Sequence, residues 1–151
     1  MHPIFKKLNF KDQKEIVIIH APETFASPCK DMEAFTTMHT TLKETTFVLL
    51  FVTQKAEIVE WAPQLDKALQ GDGLLWFAYP KKSSKKYKSD VSRDDSWAIL
   101  GEFDFEPVRM VAIDEDWSAL RFRRVDYIKK MTRSTLGTLS EKGKEKVDGK
   151  K

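Results

Sequence analysis

Cysteine is almost absent from this sequence, and that excludes more chemistry than the motifs present admit. A lone Cys29 cannot form an internal disulfide or a multi-cysteine zinc site, and it suits a reducing compartment. The three histidines, His2, His20 and His39, stand at no metal-ligand spacing to one another or to Cys29, so no metal is expected. Long apolar runs are lacking too. The longest, Phe47 to Val52 and Leu74 to Tyr79, have six residues each, against the roughly 20 that a membrane-spanning helix needs. Met-His-Pro-Ile-Phe-Lys-Lys at the start has lysines but no apolar core behind them, so no secretory signal is expected and the chain reads as cytoplasmic. No G-x-S-x-G elbow surrounds a serine and no other catalytic constellation stands out, which points away from an enzyme.

What is present fits one soluble domain with a polar appendage. The chain has 151 residues, 41% hydrophobic and 32% charged, enough for a single core without disulfides. We expect an α/β domain over residues 1–127 and a basic tail over 128–151, where small, polar and charged residues dominate. The net charge of +3 conceals a polarised distribution. Asp126 to Lys151 holds eight Lys/Arg against four Asp/Glu, and Lys81 to Lys88 adds five lysines with no acid, so the remainder carries −6. An acidic body thus bears two basic appendages, suited to phosphates, nucleic acid or acidic partners, or simply to a solvated surface.

In chain order, Phe5, Leu8 and Phe10 form a lead-in that packs beneath the sheet. Glu15 to His20 then has four β-branched residues in a row, the pattern of a parallel strand buried on both faces. Pro28 allows only a short helix before Glu33, capped by Ser27 with the proline at its first position. Ala34 to Thr41 suits an edge strand and Thr46 to Thr53 a central one. Ile58, Trp61, Ala62, Leu65 and Leu69 form one helical stripe over Gln54 to Gln70, with Pro63 as a kink or a new first turn. Gly71-Asp72-Gly73 then turns the chain into the strand Leu74 to Tyr79. Ser89 and Asp90 cap a helix from about Val91 to Gly101 with Val91, Trp97 and Leu100 on its apolar face. Val108 to Ile113 and Ser118 to Val125 are joined by four residues, enough for an antiparallel hairpin only, with Leu120 and Phe122 facing the core and Arg121 and Arg123 the other way. Trp117, in the acidic turn, would suggest a protein contact if exposed; Asp114, Glu115 and Asp116 suit a cation or plain solvation.

The order from Phe47 through the amphipathic helix, the glycine turn, Leu74 to Tyr79 and the terminal hairpin resembles the latter half of the Rossmann-like S-adenosylmethionine-dependent methyltransferases. That implies a three-layer sandwich with a mostly parallel sheet closed by a C-terminal antiparallel hairpin. A second resemblance is to a bacterial family of short single-domain proteins without established activity. It rests on His20-Ala21-Pro22-Glu23, on Leu75-Trp76-Phe77-Ala78-Tyr79-Pro80-Lys81-Lys82-Ser83-Ser84, on Arg93-Asp94, on Pro107 to Asp114 and on Trp117 to Arg123.

Chemistry separates the functional readings. A nucleotide-type cofactor needs close backbone approach after the first strand, usually through glycines. His20-Ala21-Pro22-Glu23-Thr24 has none, and the second strand runs into Thr40-Thr41 with no acid to grip a ribose, so no cofactor is expected. Ligands of open α/β sheets sit outside the carboxyl ends of the strands. Pro22, Glu23, Tyr79, Lys81, Lys82, Ser83, Ser84 and Arg93 are therefore the candidate ligand-binding residues, for a phosphate or carboxylate, with the dipole of the following helix assisting. The same residues equally suit a solvated turn. Three functions stand: a non-enzymatic module binding an anionic small molecule or partner, a divergent methyltransferase-like enzyme, and a homo-oligomer that works by assembly.

Overall fold

The apolar runs become the strands of one sheet. A computed structural model describes residues 1–92 and 96–128; the tail expected over 128–151 lies outside these from residue 129. In chain order the elements are α1 (Pro3–Lys7), β1 (Glu15–Ile19), a 3-10 turn (Glu23–Phe25), α2 (Ala26–Met32), β2 (Thr37–His39), β3 (Thr45–Phe51), α3 (Lys55–Ala68), β4 (Leu69–Pro80), α4 (Ala98–Glu102), β5 (Phe105–Ala112), β6 (Trp117–Arg124) and a last 3-10 turn (Val125–Tyr127). The sheet order is β2-β1-β3-β4-β6-β5. The first four strands run parallel, and β6 and β5 join antiparallel. This is the mostly parallel, hairpin-closed α/β architecture expected from the strand order.

Alternation divides the side chains between two layers. Val17, Val48, Leu50, Leu75, Phe77, Leu120 and Phe122 pack with Ile58, Ala62 and Leu65 of α3 and Leu100 of α4. Ile16, Ile18, Phe47, Leu49, Trp76 and Ala78 face the opposite way, onto Phe5, Leu8 and Phe10 of the lead-in and Phe25 and Met32 around α2. Burying β1, β3 and β4 on both sides is why they read as continuous apolar runs, each large side chain contributing about 1.5–3 kcal/mol. The Trp76 indole is fully buried, and its Nε1–H donates to the Leu8 carbonyl at 2.9 Å, tying the lead-in to the sheet. The β1-to-β2 step and the β3-to-β4 step move in opposite directions with their helices on opposite faces, so both crossovers share one hand.

Several local expectations are corrected. Helix α2 begins at Ala26, directly after the 3-10 turn, and is not capped by Ser27. Pro28 sits third in it, where its missing N–H would have lacked an intrahelical partner anyway. Pro63 neither breaks nor restarts α3, which runs on from Lys55 to Ala68; Val59, whose carbonyl loses its donor, lies on the exposed face, open to water. Gly71-Asp72-Gly73 is no turn ahead of a strand. Strand β4 already starts at Leu69, and between the pairs Thr45–Leu69 and Phe47–Leu74 the glycine stretch bulges out of the ladder. Gly71 has φ +54°, and a Cβ on Gly73 would stand 2.6 Å from Leu69 Cδ1, so a side chain at either position is strained unless its surroundings shift. Of the helix expected from Val91 to Gly101, the described residues form only Ala98–Glu102, and Val91 is buried in the core. Trp117 is buried, 3% exposed, between Phe51 and Tyr87, and not a surface contact.

Candidate functional site

The carboxyl ends of β1, β3 and β4 share one edge of the sheet, and β1 and β3 feed helices on opposite faces there. This is the switch point at which open α/β sheets take ligands. After β1, His20 adopts φ 59°, a left-handed conformation uncommon for a residue with a Cβ. Its ring meets Trp61 of α3 edge-on, with centroids 5.9 Å apart. Pro22 caps the following 3-10 turn, its carbonyl accepting from Phe25 N at 2.9 Å, and Glu23 begins that turn, exposed.

After β3 the chain enters α3 through an N-terminus already supplied with carboxylates. Glu57 Oε1 accepts from Thr53 N and Gln54 N at 3.0 Å each, within a capping box. Asp90 Oδ1 accepts from Lys55 N at 2.7 Å, while Asp90 N donates to the Thr53 carbonyl at 3.3 Å. Asp90, expected to cap the helix after it, instead caps one 35 residues earlier in the chain. With two carboxylates on its first turn, α3 offers no vacant dipole to an anion. Among the described residues the next helix is α4, which starts at Ala98 and not immediately behind the loop.

The lysine loop after β4 is held in place by the hairpin. Lys81 N donates to the Asp116 carbonyl at 2.8 Å, the Ser84 hydroxyl donates to Asp116 Oδ1 at 2.8 Å, and Tyr87 packs on Trp117 with centroids 4.9 Å apart. The acidic turn is thereby explained without a cation: Asp114 Oδ1 accepts from Asp116 N and Trp117 N, and Asp116 holds the loop. Lys82 and Ser83 are exposed and Lys81 is half-buried. Lys86 lies over the Tyr87 ring at 5.5 Å. None of Lys81, Lys82, Lys85, Lys86 and Lys88 forms an ion pair with a described residue. Tyr79 lies apart from them, buried against Trp97, with its hydroxyl 3.3 Å from Met110 Sδ. Arg93 lies outside the described residues.

A shallow concavity of about 440 Å³ opens beside the loop, lined by Thr53, Gln54, Lys88, Ser89 and Asp90. None of these five is among the candidate ligand-binding residues; Lys88, Ser89 and Asp90 owe their place to the Asp90–Lys55 contact, which no local pattern announces. Burial, with Glu33 adding, pushes the Cys29 thiol up, which disfavours the thiolate. Among the described residues no group of His, Cys, Asp and Glu could hold a metal ion, and no helix is long and apolar enough to cross a membrane.

Comparison with solved structures identifies the architecture. The chain is similar in fold to a SAM-dependent methyltransferase from Aquifex aeolicus, with a TM-score of 0.56 and 11% identity over 80% of this chain and 87% of that one. It is also similar to the pyocyanin biosynthetic protein PhzM, with a TM-score of 0.53 and 10% identity over 80% of this chain and 53% of that one. The fold is Rossmann-like. No protein-family model matches the chain, and no curated protein matches it in sequence.

The methyltransferase-like reading would bring an S-adenosyl nucleoside to the first turn, whose residues do not fit one in the usual way. Where glycines would let a ligand approach the backbone, His20 carries an imidazole seated on Trp61, and Pro22 has no N–H to donate. At the end of β2, His39 is engaged with Glu15 at 2.9 Å, and Thr40 and Thr41 follow in place of an acid.

Proposed function

We propose that this chain is a binding module that holds an anionic ligand at the carboxyl edge of its sheet. The observation that carries this is the hydrogen-bonded loop from Lys81 to Ser89, which fixes five lysines without acidic partners among the described residues where such sheets receive ligands. Fixing like charges together opposes folding, so an arrangement that holds them gains when an anion arrives. The openness of the concavity suits an extended phosphate-bearing ligand more than a small enclosed one.

Fluorescence anisotropy with a labelled single-stranded oligonucleotide tests this. Three to five phosphate contacts give log affinity against log salt a slope of roughly −2 to −3.5, and Lys82→Glu with Lys85→Glu should abolish most of the binding. Binding that ignores salt, or no binding, removes the proposal. The fold shared with methyltransferases supports a second reading, an enzyme whose cofactor enters past a glycine-free turn. Calorimetry with S-adenosylmethionine decides it: heat at millimolar ligand supports the enzyme, and its absence leaves the binding module.

A further inference from the structure

At the opposite, amino edge of the sheet lies a cavity of about 380 Å³ that plays no part in the site above. The lead-in crosses the start of β4 there, placing Asn9 and Lys11 against Asp72 of the glycine bulge and Arg121 and Arg123 of β6. Its volume falls within the usual range for small-molecule sites. Its charge is unbalanced. Asp72 is engaged bidentately by Arg123, with Oδ1 to Nε at 2.9 Å and Oδ2 to Nη2 at 2.6 Å. Arg121 has no ion pair with a described residue and its Nε is buried without any hydrogen-bond partner. Arg109 of β5 is its direct cross-strand neighbour, a like-charge pairing that costs stability.

Burial, then the Arg123 charge, push the Arg121 guanidinium below the usual arginine range; Asp72 opposes this and Arg109 adds to it. A buried donor left unpaired is unfavourable, and a buried cation more so. The Asn9 Oδ1 is also buried without a partner, an acceptor beside the cations. We infer that this cavity is a second ligand site, built for a small oxyanion, phosphate or carboxylate, that Arg121 receives through its planar fork, with a ligand hydroxyl or N–H donating to Asn9. Lys11, exposed at the rim, adds charge to the entrance.

Thermal unfolding of the full chain tests this with inorganic phosphate and acetate titrated separately, each against chloride at equal ionic strength. One of them should raise Tm logarithmically with its concentration above Kd, by roughly 3–6 °C at about ten times its Kd; the one that does so names the ligand chemistry. Arg121→Gln should remove the rise, whereas Lys82→Glu with Lys85→Glu, at the carboxyl edge, should leave it intact. If Arg121→Gln does not fold, Lys11→Gln carries the test, with at least about threefold more ligand needed for the same rise in Tm. No rise beyond chloride, a rise that survives Arg121→Gln, an unchanged ligand requirement in Lys11→Gln, or a rise lost only with the loop lysines would overturn the assignment.

Discussion

Arg124 does more for the fold than its surface position on a hairpin suggests. Its Nη1 donates to Asp66 Oδ1 at 2.7 Å, its Nη2 to the carbonyls of Asp66 and Leu69 at 2.8 and 2.9 Å, and the guanidinium lies 4.7 Å from the Phe105 ring centre. It therefore satisfies carbonyls at the end of α3, where the helix dipole favours a cation. Arg124→Met should cost about 2–3 kcal/mol, read as a lower denaturant midpoint at unchanged m. Arg124→Lys should recover only part of this, because a single ammonium cannot reach three acceptors in one plane. The alternation in the sequence placed Arg124 on the same face as Leu120 and Phe122, and so it lies. Its partner 58 residues away was not legible, because nothing in a local pattern records which helix end a strand will meet. The same holds for Asp90 and Lys55, and for Arg121, whose side opposite the Leu120 face was readable while the cavity it lines was not.

At the scale of elements, strands buried on both sides were the most legible part of the chain, because they need apolar residues at every position and so leave unbroken runs. Short helices were the least legible. Helix α4 has five residues and α2 seven, too few turns for a stripe to repeat. The glycine stretch was visible but its role was not, since a turn and a bulge draw on the same residues. The bulge allows β4 to begin without a loop after α3, with Leu69 already extended as the helix cap. Gly73→Ala tests how tightly it is built. With Leu69 Cδ1 at 2.6 Å and Cγ at 2.9 Å from the added methyl, the substitution should cost about 1–3 kcal/mol by overpacking. Chemical denaturation reads this directly, and a neutral result would mean that Leu69 gives way.

For the whole molecule, the two rims of the sheet bear on whether copies can add to it strand by strand. One rim is β2, only three residues long; the other is β5, where Pro107 has no N–H and the register shifts between Pro107 and Arg109. A strand added at either rim finds no continuous row of donors and acceptors, and along β5 it also meets the Arg109 charge. Growth by strand addition, the route open to most exposed edges, is thus interrupted at both ends of the sheet. Light scattering at rising protein concentration should return the single-chain mass of 17.5 kDa. A stable dimer would show that copies meet through a face instead. The proline in β5 then has a meaning beyond its own strand: one missing hydrogen in the outermost strand helps keep the sheet from becoming a template for others.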